Sequence, residues 1–105
     1  MSVENLKILD AVSIDKNKNV VLSISDHLEW DEGNEHLLIL QNKINLYLTA
    51  IENGSLYEEY PDAKNRDIVI NIAAKFSPNN DGEIFLKRVK ETLNLAGYAF
   101  SFSVL

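Results

Sequence analysis

The chain contains no cysteine. That excludes disulfides, thiolate metal centres and cysteine nucleophiles together, and it fits a reducing compartment. Glycine is scarce, and Gly33, Gly54, Gly82 and Gly97 stand too far apart for a phosphate-cradling loop or a dinucleotide fingerprint. No serine sits in a nucleophile-elbow context. No apolar run is long enough to span a bilayer, and no basic-then-apolar leader opens the sequence. The expectation is a soluble cytoplasmic protein. Basic residues are missing altogether from Asn19 to Asn42.

What is present is charge of the other sign, unevenly placed. The net charge is −6 over 105 residues. Residues 1–18 balance, 19–63 carry nine carboxylates against Lys43 alone, and 64–105 are mildly basic. A nucleic-acid binder needs a basic stripe to displace counterions from phosphates, and an anionic membrane surface selects the same feature. This distribution argues against both. An acidic pole suits a basic protein face or simply a solvated surface. The length suits one domain, residues 1–105, burying roughly two thirds of its unfolded surface in a single core.

Period-two alternation marks four strands. Residues 8–15 set Ile8, Asp10, Val12 and Ile14 against Leu9, Ala11, Ser13 and Asp15. Residues 20–25 alternate Val20, Leu22 and Ile24 with Val21, Ser23 and Ser25, and the intervening Lys16–Asn19 reads as a hairpin turn. Residues 68–76 place Ile68, Ile70, Ile72, Ala74 and Phe76 on one face. The last strand sets Tyr98, Phe100, Phe102 and Val104 against Ala99, Ser101 and Ser103.

Helical spacing predicts a first helix from about Asp31 to Asn53, with Leu37, Leu40, Ile44, Tyr47, Leu48 and Ile51 facing the core and Gly54 ending it. A second runs from about Asp81 to Ala96, with Asn80 and Glu83 as a capping box and Gly97 as its stop. Phe85, Leu86, Val89, Leu93 and Ala96 form its buried side. The order ββαβαβ then gives an α+β two-layer sandwich, a four-stranded sheet with both helices on one face.

Three surfaces look unfinished. The second face of the sheet is small and almost uncharged: Ala11, Ser13, Val21, Ser23, Ser25, Val69, Asn71, Ala73, Ala99, Ser101 and Ser103. The first helix carries Ile39, Leu46 and Ala50 away from its core stripe, with Leu38 beside them. No charge occurs from Thr92 to Leu105, so the last strand lacks edge protection and is either interior to the sheet or paired across a subunit boundary. Interior is the simpler reading. The sheet face could equally be a bland exposed surface, and the 53–66 loop could fold back over the first helix, but the preferred reading is a homodimer.

The chemistry concentrates between Asp26 and His36, which holds the single tryptophan, both histidines and five carboxylates. Asp26, His27, Glu29, Trp30, Glu32 and His36 are candidate binding residues. Glu32 and His36, four apart, would share a helix face and could ligate a metal with Asp26 or His27. No zinc-hydrolase pattern accompanies them. Asp31, Glu32 and Glu35 equally suit a helix start, with Asp31 as cap and Trp30 packed over the first turn. Tyr57 and Tyr60, in a long connection, could join Trp30 in a binding surface or merely cover one end of the core. No catalytic residue, metal or cofactor is assigned.

The segments Leu22–Trp30, Asn34–Leu37, Gln41–Asn45, Tyr60–Lys64 and Lys75–Pro78 resemble a family of small bacterial proteins of unknown function. The resemblance covers nearly the whole chain, implies a bacterial cytoplasmic protein, and offers no activity or site residue to carry over. The reading that follows is a non-enzymatic interaction module that homodimerises and presents the acidic corner to a protein partner. The alternatives are a metal-dependent or acid/base enzyme using Asp26, His27, Glu32 and His36, and an immunity-type inhibitor of a basic protein.

Overall fold

The computed structural model describes residues 11–105. Its elements are strands β1 (Ala11–Ile14) and β2 (Val20–Asp26), helices α1 (Glu35–Glu52) and α2 (Ser55–Glu59), a 3₁₀ turn (Pro61–Ala63), strand β3 (Ile68–Ala74), helix α3 (Asn80–Leu95) and strand β4 (Ala99–Val104). The part of the first predicted strand at Ile8, Leu9 and Asp10 lies outside the described residues. The long connection after α1 contains a short helix and a 3₁₀ turn, so the element order is richer than the predicted ββαβαβ.

The four strands form one mixed sheet in the order β1-β2-β3-β4. β1 and β2 are an antiparallel hairpin, while β2–β3 and β3–β4 are parallel. Each parallel pair is bridged by a helical crossover, as parallel neighbours require. Val20, Leu22 and Ile24 of β2 and Ile68, Ile70, Ile72 and Ala74 of β3 are buried in one cluster with Leu40, Ile44, Tyr47 and Ile51 of α1 and Leu86 and Leu93 of α3. Phe100, Phe102, Leu48 and Val89 pack against that cluster. Both long helices therefore cover the same face of the sheet. On the other face, Ser25, Ala99, Ser101 and Ser103 are exposed, and Val21, Ser23, Val69, Asn71 and Ala73 are half-buried.

The last strand is not interior. Among the described residues, β4 is an edge, hydrogen-bonded to β3 alone. The lack of charge was a poor guide to position because strand order follows from the crossovers, not from side-chain polarity.

α1 is rotated from its predicted orientation. His36 and Lys43 are buried with Leu40, Ile44, Tyr47 and Ile51, whereas Leu37 and Leu48 are only half-buried. At 3.6 residues per turn this is a rotation of roughly 40° toward Ile39, Leu46 and Ala50. Those three are half-buried against the chain's own core, so they do not form a separate second face. Leu38 remains 57% exposed. Lys43 is fully enclosed, its stem in the core and its ammonium 5.7 Å from the centre of the Tyr47 ring.

Turn and cap chemistry account for the element ends. Asp15 Oδ1 accepts from the amides of Asn17 and Asn19 at 2.9 Å, fixing the β1–β2 turn. The left-handed residue there is Lys18, φ 66°, and neither asparagine. α3 is capped by Asn79, one residue earlier than predicted, whose Oδ1 accepts from Gly82 N at 2.8 Å. Its C-terminus closes as a Schellman motif: Tyr98 N–H donates to Leu93 O and Gly97 N–H to Asn94 O, with Gly97 at φ 95°.

Candidate functional site

The three parallel strands point their C-terminal ends the same way, toward the starts of α1 and α3. In open sheets with parallel strands this end is where ligand sites form. The Asp26–His36 segment lies there because β2 ends at Asp26 and the chain must turn back into α1.

Asp26 is the last residue of β2 and takes the inward side of the strand alternation. His36 sits in the first turn of α1 and points at the sheet. They meet in the interior, each 3% exposed. His36 Nε2 lies 2.8 and 2.7 Å from the two Asp26 carboxylate oxygens, so with Asp26 ionised the Nε2–H donates to it. Asp26 also accepts from Leu28 N at 3.3 Å. The remaining ring nitrogen, His36 Nδ1, is buried without a hydrogen-bond partner.

Trp30 closes this pair from above. Its ring centroid is 4.2 Å from that of His36, tilted by 45°, and its Nε1–H donates to Phe76 O at 3.2 Å. On its far side it lies against Gly82, where a Cβ would come within 2.7 Å of the indole. The first turns of α1 and α3 thus share one wedge. Asn34 Nδ2 and Asp81 Oδ2, 3.4 Å apart, add a second link between them.

Asp31 caps α1 from outside the helix. Its Oδ1 accepts from His36 N at 3.0 Å and its Oδ2 from Glu35 N at 3.1 Å. The His36 amide bond holds the Asp31 carboxyl below the ordinary carboxylate range, against a smaller opposing effect of desolvation. Asn34, at φ 59°, is left-handed, so no helix extends back to Asp31. Glu32 consequently lies in a turn and does not share a helix face with His36. The four-residue spacing counted toward a metal site only if both residues were helical.

His27, Glu29, Glu32 and Glu35 are exposed. Among the described residues, no group of three or more His, Asp or Glu could hold a metal ion. A shallow depression of about 330 Å³ is lined by Leu28, Glu29, Asp31, Glu35, His36 and Ile39. His36 contributes to its floor, yet both ring nitrogens are enclosed.

Residues 1–105 match DUF6572, a family of unknown function. The chain belongs to DUF6572. Neither the curated proteins nor the solved structures gave a match.

Two further candidates of this DUF6572 protein lie elsewhere. Tyr57 is in α2 and Tyr60 follows it, past the far end of α1 from Trp30. An 18-residue helix separates them by roughly 27 Å of rise. Tyr57 is half-buried against the core and Tyr60 is 39% exposed beside the 3₁₀ turn. They therefore form no common surface with Trp30. Tyr57 instead belongs with Glu52 and Tyr98, whose phenol is raised first by burial and then by the charges of those two neighbours. Sequence reasoning missed Lys43 inside the core. Its position three after Leu40 and four before Tyr47 was the available signal, outweighed by the assumption that lysine stays out.

Among the described residues, no helix is long and apolar enough to cross a membrane.

Proposed function

We propose that this protein is a non-enzymatic interaction module, working as a homodimer in a bacterial cytoplasm, that offers its acidic corner to a basic partner protein. The observation behind this reading is how the corner divides its groups. Asp26 and His36, the pair with acid/base potential, are bonded to each other and buried beneath Trp30. Glu29, Glu32 and Glu35 stand exposed on the rim of a shallow depression or beside it. A buried pair holds the turn in shape, and the carboxylates it displays can meet lysine and arginine side chains.

The test is a titration of isotope-labelled protein with an oligolysine peptide, followed by amide NMR. Shift changes are expected at residues 27–35, fading as salt screens the charges. The triple variant Glu29→Lys, Glu32→Lys, Glu35→Lys should lose them. Perturbations that survive the triple variant, or fail to occur in the parent, defeat the acidic-corner reading. A rise in melting temperature with zinc or manganese, abolished by His36→Ala, would favour the enzyme alternative instead.

A further inference from the structure

The two edges of the sheet are built differently. β1 leads into a turn carrying Asp15, Lys16 and Lys18 and has the Glu59–Ala63 segment beside it across a cleft. Charge and a covering segment are two of the usual ways to stop an edge from recruiting another strand. Among the described residues, β4 has neither. It is six residues long, runs in unbroken register from Val69↔Ala99 to Ala74↔Val104, and contains no charge, proline or glycine. Ala99, Ser101 and Ser103 are exposed, Val104 is 44% exposed and Leu105 88%.

The backbone of that edge has a demand of its own. Leu105 N–H donates to Ala74 O at 2.8 Å, which fixes the phase of the ladder. Odd-numbered residues of β4 therefore turn their amide groups toward β3. By alternation, the N–H and C=O groups of Phe100, Phe102 and Val104 point outward, away from the sheet.

We propose that a second copy of this chain pairs antiparallel along β4, joining two four-stranded sheets into one continuous eight-stranded sheet. This rests on the homodimer reading above and names its surface. Antiparallel pairing of a strand with its own copy is two-fold symmetric, so the same outward groups serve as donor and acceptor on both sides. Outward residues pair only with outward residues. The register of fullest overlap sets Phe102 against the partner's Phe102, Phe100 against the partner's Val104 and Ser101 against the partner's Ser103. Phenylalanines then meet on the helix-covered side and small residues on the other side. An uncharged strand facing itself incurs no like-charge penalty, whereas a charged edge would. A strand of this length spans about 20 Å, so the interface is small and the dimer reversible in the micromolar range.

Sedimentation equilibrium from low to high micromolar concentration, with far-UV circular dichroism to confirm folding, tests the proposal. The parent chain should dimerise. Ser103→Lys and Ala99→Lys, each a charge on an exposed edge position, should weaken the dimer by about tenfold or more. Ile14→Lys on the opposite edge should leave it unchanged. Hydrogen exchange adds a backbone readout, since the amides of Phe100, Phe102 and Val104 should gain protection at high concentration and lose it on dilution. A monomer at every concentration defeats the homodimer reading itself. A dimer indifferent to both lysines, with those three amides unprotected, leaves that reading standing and overturns the β4 edge. Loss of the dimer with Ile14→Lys alone assigns the contact to β1.

Discussion

Asp26 and His36 illustrate how a residue's chemistry is spent by its surroundings. Each would be costly to bury alone, and together they hold one end of β2 against the first turn of α1. Removing one partner leaves the other desolvated and uncompensated, a loss of about 3–5 kcal/mol. Urea unfolding of Asp26→Ala and of His36→Ala should each show a destabilisation of that order. The double replacement Asp26→Leu, His36→Phe should recover much of it, because no unpaired polar group remains. Equal damage in the double variant and the singles would contradict the clamp. The residue types at this corner were legible in the sequence, and their division was not. Asp26 takes the inward side because β2 runs one residue past the predicted end at Ser25, and His36 enters the core only because α1 starts at Glu35 and is rotated.

At the scale of elements, most boundaries followed from local rules and the exceptions have local causes. Gly97 ends α3 as its position after Leu93 and Ala96 suggested, whereas the N-cap moved from Asn80 to Asn79 because two adjacent asparagines offer the same side chain. The long connection hid α2, whose five residues are too few to show a helical period. For α1, the start is fixed by Asp31, and this has a pH signature. The folded protein favours the ionised carboxyl, so its contribution is complete above the unfolded value of about 3.9 and is lost as pH falls through the lower folded value. A carboxyl carbon NMR titration should place the Asp31 midpoint below about 3.9. Over the same fall, exchange at the Glu35 and His36 amides should quicken. An unshifted midpoint would remove Asp31 from the cap.

Across the whole molecule, the pieces are ordered by two parallel crossovers that leave both long helices on one side of the sheet. Trp30 ties the starts of those helices together, and Gly82 makes room for it. Gly82→Ala tests the fit, since alanine is the better helix former by about 1 kcal/mol yet its Cβ would lie 2.7 Å from the indole and 2.9 Å from Pro78. The clash should win, with a net loss of about 1–3 kcal/mol and a red-shifted Trp30 emission. A gain in stability with unchanged emission would show that the two helix starts are not wedged apart by this ring. Alternation and amphipathic stripes were enough to reach the two-layer architecture. Strand order was beyond them, because Val20 pairs with Ile68 across the whole of α1 and no local signal spans that distance.

That pairing also governs when the sheet can assemble. Only the β1–β2 hairpin joins neighbours in sequence; β2 must wait for β3, and β3 for β4, each across an intervening helix. As the chain leaves the ribosome, Val20, Leu22 and Ile24 stay without their β3 neighbour until residues beyond Ile68 have emerged. Closing loops of that length before any pairing reward is slow, so the fold forms late and nearly all at once.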